Sequence, residues 1–103
     1  MAFERVASVG EIAPGKVQEV QIGGKTLAVA NVDGKIYAIS NTCLHRGGPL
    51  GQGTLSGTVI TCPWHGWSFD VINGKLSHNH AAGVACYPVE VRGEEVFADL
   101  TGS

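Results

Sequence analysis

Residues 16–40 read KVQEVQIGGKTLAVANVDGKIYAIS and contain three alternating apolar and polar segments separated by two tight turns. Gly23-Gly24 and Asp33-Gly34 are two-residue hairpin signals, because the central positions of such turns favour φ > 0. Alternation on either side of a short turn indicates antiparallel pairing. The stretch therefore predicts a three-stranded meander over 16–22, 26–32 and 35–40.

The composition agrees with a compact β protein. The chain has 103 residues, of which 15 are glycine, 44% are hydrophobic and 16% are charged. This hydrophobic content excludes a disordered chain, and the abundant glycine excludes a coiled coil or long helix. We expect one all-β domain over residues 1–103, rich in turns.

The rest of the chain predicts further short elements around two irregular stretches. Ser8 and Glu11 have capping-box spacing, which indicates one short helical turn. Asn73-Gly74 is a further hairpin signal, and Gly93 marks a final turn. The expected strands are 54–61, 67–72, 75–77, 84–92 and 96–100. Residues 41–53, 62–66 and 78–83 are expected to be loops.

Charge and cysteine content limit the classes of partner and compartment. Seven basic and nine acidic residues give a net charge of −2 without a Lys/Arg cluster, so we expect no nucleic-acid binding. No apolar segment is long enough to predict a membrane helix, and residues 1–10 do not resemble a secretory signal. The odd set Cys43, Cys62 and Cys86 does not suggest a disulfide framework. A soluble cytoplasmic protein is expected.

The expected loops 41–53 and 62–66 contain Cys43-Leu44-His45 and Cys62-Pro63-Trp64-His65. Two Cys/His pairs at two loop tips supply four metal ligands if a sheet brings the loops together. Thiolate and neutral imidazole suit zinc, copper or iron–sulfur clusters. A set of two Cys and two His fits a tetrahedral structural zinc, or a [2Fe–2S] cluster with two Cys on one iron and two His on the other.

The spacing favours the cluster, because zinc fingers usually pair Cys with Cys and His with His. The C-x-H … C-x2-H pattern resembles the Rieske proteins, in particular the stand-alone Rieske ferredoxins of bacterial ring-hydroxylating dioxygenase systems. The resemblance includes residues 43–47 (CLHRG) and 62–67 (CPWHGW). It extends to Phe69-Asp70, Asn73-Gly74-Lys75 and Tyr87-Pro88-Val89, and so covers nearly the whole chain.

The resemblance implies a fold and a set of roles. The fold would be stacked antiparallel sheets with a cluster-binding subdomain of two loop-tipped hairpins, about residues 41–83. Cys43 and Cys62 would bind the buried iron of one Rieske-type [2Fe–2S] cluster. His45 and His65 would bind the outer iron and face solvent as the electron exit. Backbone amides in the glycine-containing loops would donate to the cluster sulfurs and tune its potential, from Gly47, Gly48 and Gly66.

Several positions depart from the family pattern. Arg46 follows the first histidine, as in many terminal oxygenase components, where ferredoxins more often have Gly-Asp. Asn79 falls where the loop covering the cluster usually has proline. High-potential members carry an additional disulfide at the positions that correspond to Gly48 and Trp64. They also place hydroxyls at positions that correspond to Trp67 and Phe69.

Other polar and aromatic residues have simpler interpretations. His78 and His80 are expected to be solvated loop residues, and Cys86 a small buried hydrophobe in a strand. Asp70 is expected to be a structural hydrogen bonder, and Glu94-Glu95 a solvated turn. Trp64 and Trp67 suit partner docking and shielding of the cluster equally well. Arg46 suits steering of an acidic partner or plain solvation.

Three functions remain open from the sequence. The first is a soluble one-electron carrier between a reductase and a terminal oxygenase or other redox protein, monomeric alone and without its own substrate site. The second is a permanent small subunit of a larger oxidoreductase of the nitrite reductase type. The third is a structural zinc module used for binding. The chain length leaves no room for an oxygenase catalytic domain.

The side chains at positions 67 and 69 predict the reduction potential. Rieske centres span roughly −150 to +300 mV. Without the disulfide and the two hydroxyl donors, the more negative, reduced cluster is stabilised less. We expect a midpoint at the low end of this range when the cluster-loaded protein is measured by voltammetry at neutral pH. A clearly positive midpoint would contradict this interpretation.

Overall fold

The computed structural model describes residues 3–22, 24–41, 49–63, 67–76 and 79–99, with side chains from Gly83 onward in the last range. The described strands are β1 (Phe3–Ser8), β2 (Val17–Ile22), β3 (Lys25–Val32), β4 (Lys35–Ser40), β5 (Thr54–Ser56), β6 (Val59–Thr61), β7 (Ser68–Asp70), β8 (Lys75–Leu76), β9 (Asn79–Gly83), β10 (Cys86–Tyr87), β11 (Val89–Arg92) and β12 (Glu95–Asp99). Two 3-10 turns cover Val9–Glu11 and Leu50–Gln52.

The strands form three antiparallel sheets. Their orders are β1-β12-β11, β10-β4-β3-β2 and β5-β6-β7-β8-β9. The predicted meander forms most of the second sheet, with Ile22 opposite Lys25 and Val32 opposite Lys35 across its two turns. Asp33 and Gly34 both have positive φ, 50° and 93°, as a type I′ turn requires. The all-β expectation is confirmed.

The central strands β3 and β4 of the second sheet are buried on both faces, which explains why β3 is apolar over almost its whole length. Leu27 and Val29 point into one core with Val96 and Ala98 of the first sheet. Ala28 and Ala30 point into a second core beneath the third sheet. Alternate side chains of one strand thus fill two cores, and the small ones face the third sheet. The other buried members of the second core are Ile39, Leu50, Ile60, Cys62, Phe69, Val71 and Leu76.

The turn Leu50–Gln52 and Gly53 connect the second sheet to the third. Thr54 pairs with Thr61, so the chain enters β5 directly beside the end of β6. A Cβ atom at Gly53 would overlap the carbonyl oxygen of Thr61. The two backbones therefore approach as closely as glycine allows.

Two predicted strands are wrong in their extent. The segment 54–61 is a hairpin of two strands rather than one strand, because Gly57 adopts a left-handed φ of 60° and reverses the chain. The segment 84–92 divides at Pro88 into β10 and β11, which belong to different sheets. Proline has no N–H for a ladder, and the Pro88 carbonyl instead accepts from the backbone N–H of Asp99 at 2.9 Å.

Two further strands differ from the sequence expectation. Residues 79–83, expected to be loop, form β9, because the hairpin after β8 pairs Leu76 with Asn79 and Lys75 with Gly83. The first strand, β1, was missed. Its register shifts between Arg5 and Ala7, and this irregularity places Val6 and Ala7 both in the core and breaks the alternation.

The predicted N-terminal helical turn is present, whereas the predicted acidic turn near the C terminus includes Glu94 but not Glu95. Val9–Glu11 forms the expected turn, and the Glu11 carboxylate accepts from the Ser8 backbone N–H at 2.7 Å. Glu94 lies exposed in a turn as expected, but Glu95 begins β12 and forms an ion pair with Arg5 of β1. That pair is half-exposed and lies across the β1–β12 pairing. No helix in the described ranges is long and apolar enough to cross a membrane.

The close approach at Gly53 predicts a stability cost for any side chain there. Gly53→Ala should lower the free energy of unfolding by about 1–3 kcal/mol, because the added methyl group pushes against a backbone carbonyl that cannot turn away. Gly10→Ala is the matched control, since nothing lies within 4 Å of a Cβ atom at that position. It should change the free energy by no more than about 0.5 kcal/mol. Chemical denaturation of the cluster-loaded proteins measures both, and equal effects would contradict the packing argument.

Candidate metal centre

The second Cys/His pair begins at the end of β6. Cys62 follows Thr61 directly, and its backbone N–H donates to the Trp67 carbonyl at 2.7 Å. The hydroxyls of Thr61 and Ser68 lie 3.2 Å apart one step below, on the paired strands β6 and β7. The loop between residues 62 and 67 is therefore closed at its base by hydrogen bonds. Cys62 is 2% exposed and belongs to the second core.

The first Cys/His pair lies in a loop that is also closed at its base. Asn41 precedes this loop, and Leu50 follows it. The Asn41 carbonyl accepts from the Leu50 backbone N–H at 2.7 Å. The Asn41 side-chain oxygen accepts from the Gly51 N–H at 2.6 Å. Sequence reasoning missed this role of Asn41, because its partners are backbone groups beyond an irregular segment.

The bases of the two loops are adjacent. Leu50, at the end of the first loop, is fully buried in the same core as Cys62. Gly53 lies against the carbonyl of Thr61, the residue before Cys62. The fold thus brings together the two segments that carry the predicted ligands.

The described ranges contain one of the four predicted ligands, Cys62. The other three lie outside the described residues, as do the glycines and flanking residues of the two boxes: Cys43, His45, Arg46, Gly47, Gly48, Trp64, His65 and Gly66. His78 and the side chain of His80 also lie outside them. Within the part of the chain that is described, no group of three or more His, Cys, Asp or Glu side chains could hold a metal ion.

The surroundings of Cys62 fit a thiolate bound to iron. A buried thiolate is costly unless a cation or several donors compensate its charge. Cys62 lies in a hydrophobic core at the end of a strand, where an iron ion held with ligands from the neighbouring loop would supply that charge. The donor set of two thiolates and two imidazoles is suited to a [2Fe–2S] cluster.

Cys86 differs from Cys62 in its contacts and accessibility. It lies in β10, half-buried, and its Sγ donates to the Ile72 carbonyl at 3.4 Å. Burial, and then the nearby Asp70 carboxylate, raise the pKa of the Cys86 thiol. It lines an open apolar groove of about 400 Å³ with Tyr37 and Tyr87. Cys86 thus lies in a strand as expected, but it is only half-buried rather than fully buried.

Three residues after the second box are packing or hydrogen-bonding residues. Trp67 is partly buried against the second core, which favours the shielding interpretation over partner docking. Phe69 is fully buried in that core. Asp70 accepts from the Ile72 backbone N–H at 2.9 Å, and its carbonyl accepts from Gly74 at 2.7 Å. This confirms Asp70 as a structural hydrogen bonder.

Comparison with known proteins agrees with this arrangement. The model of the Rieske [2Fe-2S] domain family matches residues 2–88. The ferredoxin component of a naphthalene 1,2-dioxygenase system from Pseudomonas aeruginosa is 39% identical over 92 residues, which are 88% of each chain. The ferredoxin of carbazole 1,9a-dioxygenase from Nocardioides aromaticivorans IC177 superposes with a TM-score of 0.88 at 30% identity, covering 95% of this chain and 97% of that one.

A second solved structure contains both a ferredoxin and an oxygenase. It is the complex of reduced oxygenase and oxidised ferredoxin in carbazole 1,9a-dioxygenase. One chain in it matches with a TM-score of 0.83 at 35% identity, covering 93% of this chain and 91% of that chain.

The chain therefore belongs to the Rieske [2Fe-2S] domain family. It binds one Rieske-type cluster, which removes the zinc alternative. Its relatives named above are ferredoxin components, so it is an electron-transfer component rather than a catalytic subunit.

Substitution of the two described cysteines should have opposite effects on the iron content of the protein. Cys62→Ser should leave the purified protein without the visible absorption and iron of a [2Fe–2S] cluster, because a buried hydroxyl does not replace a thiolate ligand. Cys86→Ser is the matched control and should retain both. Iron analysis and the visible spectrum measure the outcome. Full iron content in Cys62→Ser would exclude Cys62 as a ligand.

Proposed function

We propose that the protein is a one-electron carrier that accepts electrons from a flavoprotein reductase and delivers them to the terminal oxygenase of a ring-hydroxylating dioxygenase system. The observation that carries this proposal is the match over almost the full length of ferredoxins from such systems. The chain also matches a solved complex of a ferredoxin with its oxygenase over 91% of the matched chain.

The ligand set is part of the proposal. Cys43 and Cys62 would bind one iron, and His45 and His65 the other, within a cluster-binding subdomain of about residues 41–83. The buried position of Cys62 and the adjacent loop bases support this assignment. Histidine would be the outer pair, because imidazole edges let an electron reach a docked partner.

A carrier of this kind exchanges one electron at each encounter with a partner. When bound, the cluster stores one electron. A two-electron acceptor therefore needs two visits, which favours a short-lived interface over a permanent one. Backbone hydrogen bonds fix the bases of both loops on the β scaffold, which suits a site that meets its partners repeatedly.

The permanent-subunit alternative is less well supported. The relatives reported above are ferredoxin components of dioxygenase systems, and none of these three is described as part of a nitrite reductase. A carrier is expected to elute as a monomer in gel filtration. We also infer a cytoplasmic location, because an odd number of cysteines and a thiolate-bound cluster suit a reducing compartment.

Reconstitution of electron transfer tests the proposal. The cluster-loaded protein is added to the purified reductase and terminal oxygenase of an aromatic-ring dioxygenase system. The ferredoxin of that system is left out of the assay. Aromatic cis-diol formation should rise with the concentration of the protein and saturate. Cys62→Ser should give no increase, and Cys86→Ser should match the unsubstituted protein.

Two outcomes would contradict the proposal. The first is a protein that is reduced by the reductase but never reoxidised by an oxygenase from any aromatic-ring system tried. The second is a protein purified from its own cells only as a fixed part of a larger enzyme.

A further inference from the structure

Glu19 in the middle of β2 forms hydrogen bonds with residues on both sides of the loop that carries the first Cys/His pair. Its carboxylate accepts from the Asn41 side-chain amide at 2.6 Å and from the Gln52 side-chain amide at 2.9 Å. Asn41 precedes the loop and Gln52 follows it. The two bonds connect β2 to residues 22 and 33 positions further along the chain.

Asn41 is only 6% exposed, and both its backbone and its side chain form hydrogen bonds. Its backbone N–H donates to the Thr26 carbonyl at 3.1 Å, and its own carbonyl accepts from Leu50. Its side-chain oxygen accepts from the Gly51 N–H at 2.6 Å, which leaves the amide N–H group for Glu19. The Glu19 bond thus fixes which way the Asn41 amide faces, and that orientation allows the bond to Gly51.

Gly51 packs tightly against the side chains of Glu19 and Asn41. A Cβ atom at Gly51 would overlap Glu19 Cγ and crowd Asn41 Oδ1, at 2.6 Å. The backbone of the turn Leu50–Gln52 therefore lies directly on the Glu19 side chain. The same turn continues into Gly53, which lies against Thr61 beside Cys62.

We propose that Glu19 is a positioning residue for the cluster, acting through Asn41 and the turn Leu50–Gln52 to set the loop that carries Cys43 and His45 against the loop that carries Cys62. This inference rests on the proposed ligand set. Glu19 does not touch the cluster itself. A carboxylate suits the role, because it accepts from two donors at once and its charge shortens and strengthens both bonds.

The test compares two substitutions of Glu19 that remove different parts of its hydrogen bonding. Glu19→Ala removes both bonds, and Glu19→Gln keeps one acceptor oxygen without the charge. Release of iron to a chelator should be about tenfold faster in Glu19→Ala, the factor expected for loss of a charge-assisted hydrogen bond, and intermediate in Glu19→Gln. Gln21→Ala is the matched control, since Gln21 is exposed and two positions further along the same strand.

An exchange of the two groups gives a rescue. Asn41→Asp alone places two carboxylates together and should release iron faster than Glu19→Gln does. In the double variant Glu19→Gln with Asn41→Asp, the amide donates to the new carboxylate, which still accepts from Gly51. Iron release should return to within about threefold of the unsubstituted protein, as coupled sites show in a double-mutant cycle.

A spectroscopic readout separates positioning from general stability. Electron paramagnetic resonance of the reduced variants should show shifted g values in Glu19→Ala and Asn41→Asp, and unshifted values in the double variant and in Gln21→Ala. Equal thermal midpoints with altered spectra would support the proposal most strongly.

Two results overturn the inference. One is unchanged release and unchanged spectra in Glu19→Ala and Glu19→Gln. The other is a double variant no better than Asn41→Asp. If Glu19→Ala does not fold, Glu19→Gln and the double variant still decide. An unsubstituted protein without a Rieske spectrum would instead overturn the proposed ligand set.

Discussion

The close backbone contact between Gly53 and Thr61 is the constraint on which the proposed metal centre depends. It places the end of one loop beside the start of the other, although the two Cys/His boxes belong to separate stretches of the chain. Below this contact, Leu50 and Cys62 share one core, and above it each loop is closed by its own backbone hydrogen bond. A metal centre built from two loops needs such a fixed base, because thiolate and imidazole ligands must meet within a few tenths of an ångström.

The second sheet packs against both other sheets and so holds the bases of the two loops in place. Both faces of β3 and β4 are buried, so one sheet serves as the shared wall of two cores. Leu27 and Val29 pack into the core shared with the first sheet, while Ala28 and Ala30 pack into the core shared with the third. The third sheet thus packs on a scaffold that is fixed from the other side.

The sequence predicts local structure well where turn chemistry and alternation agree. The meander from Val17 to Ser40 is in this class. It fails where long-range pairing decides: the irregularity in β1 hides its alternation, and only its pairing with β12 identifies that segment as a strand. The short strand β9 is set by the hairpin before it. Glu19 was missed because its partners are distant in the chain and Glu on a strand usually indicates an exposed position.

The proposed ligand set can be tested by pulsed electron paramagnetic resonance on the dithionite-reduced protein, purified anaerobically from cells grown with ¹⁵N-labelled histidine. We expect a rhombic signal with an average g below the free-electron value and couplings to two histidine nitrogens. Both couplings should disappear, with the cluster, in Cys62→Ser. A reduced cluster without histidine couplings would mean that His45 and His65 do not bind it, and it would contradict the proposed ligand set.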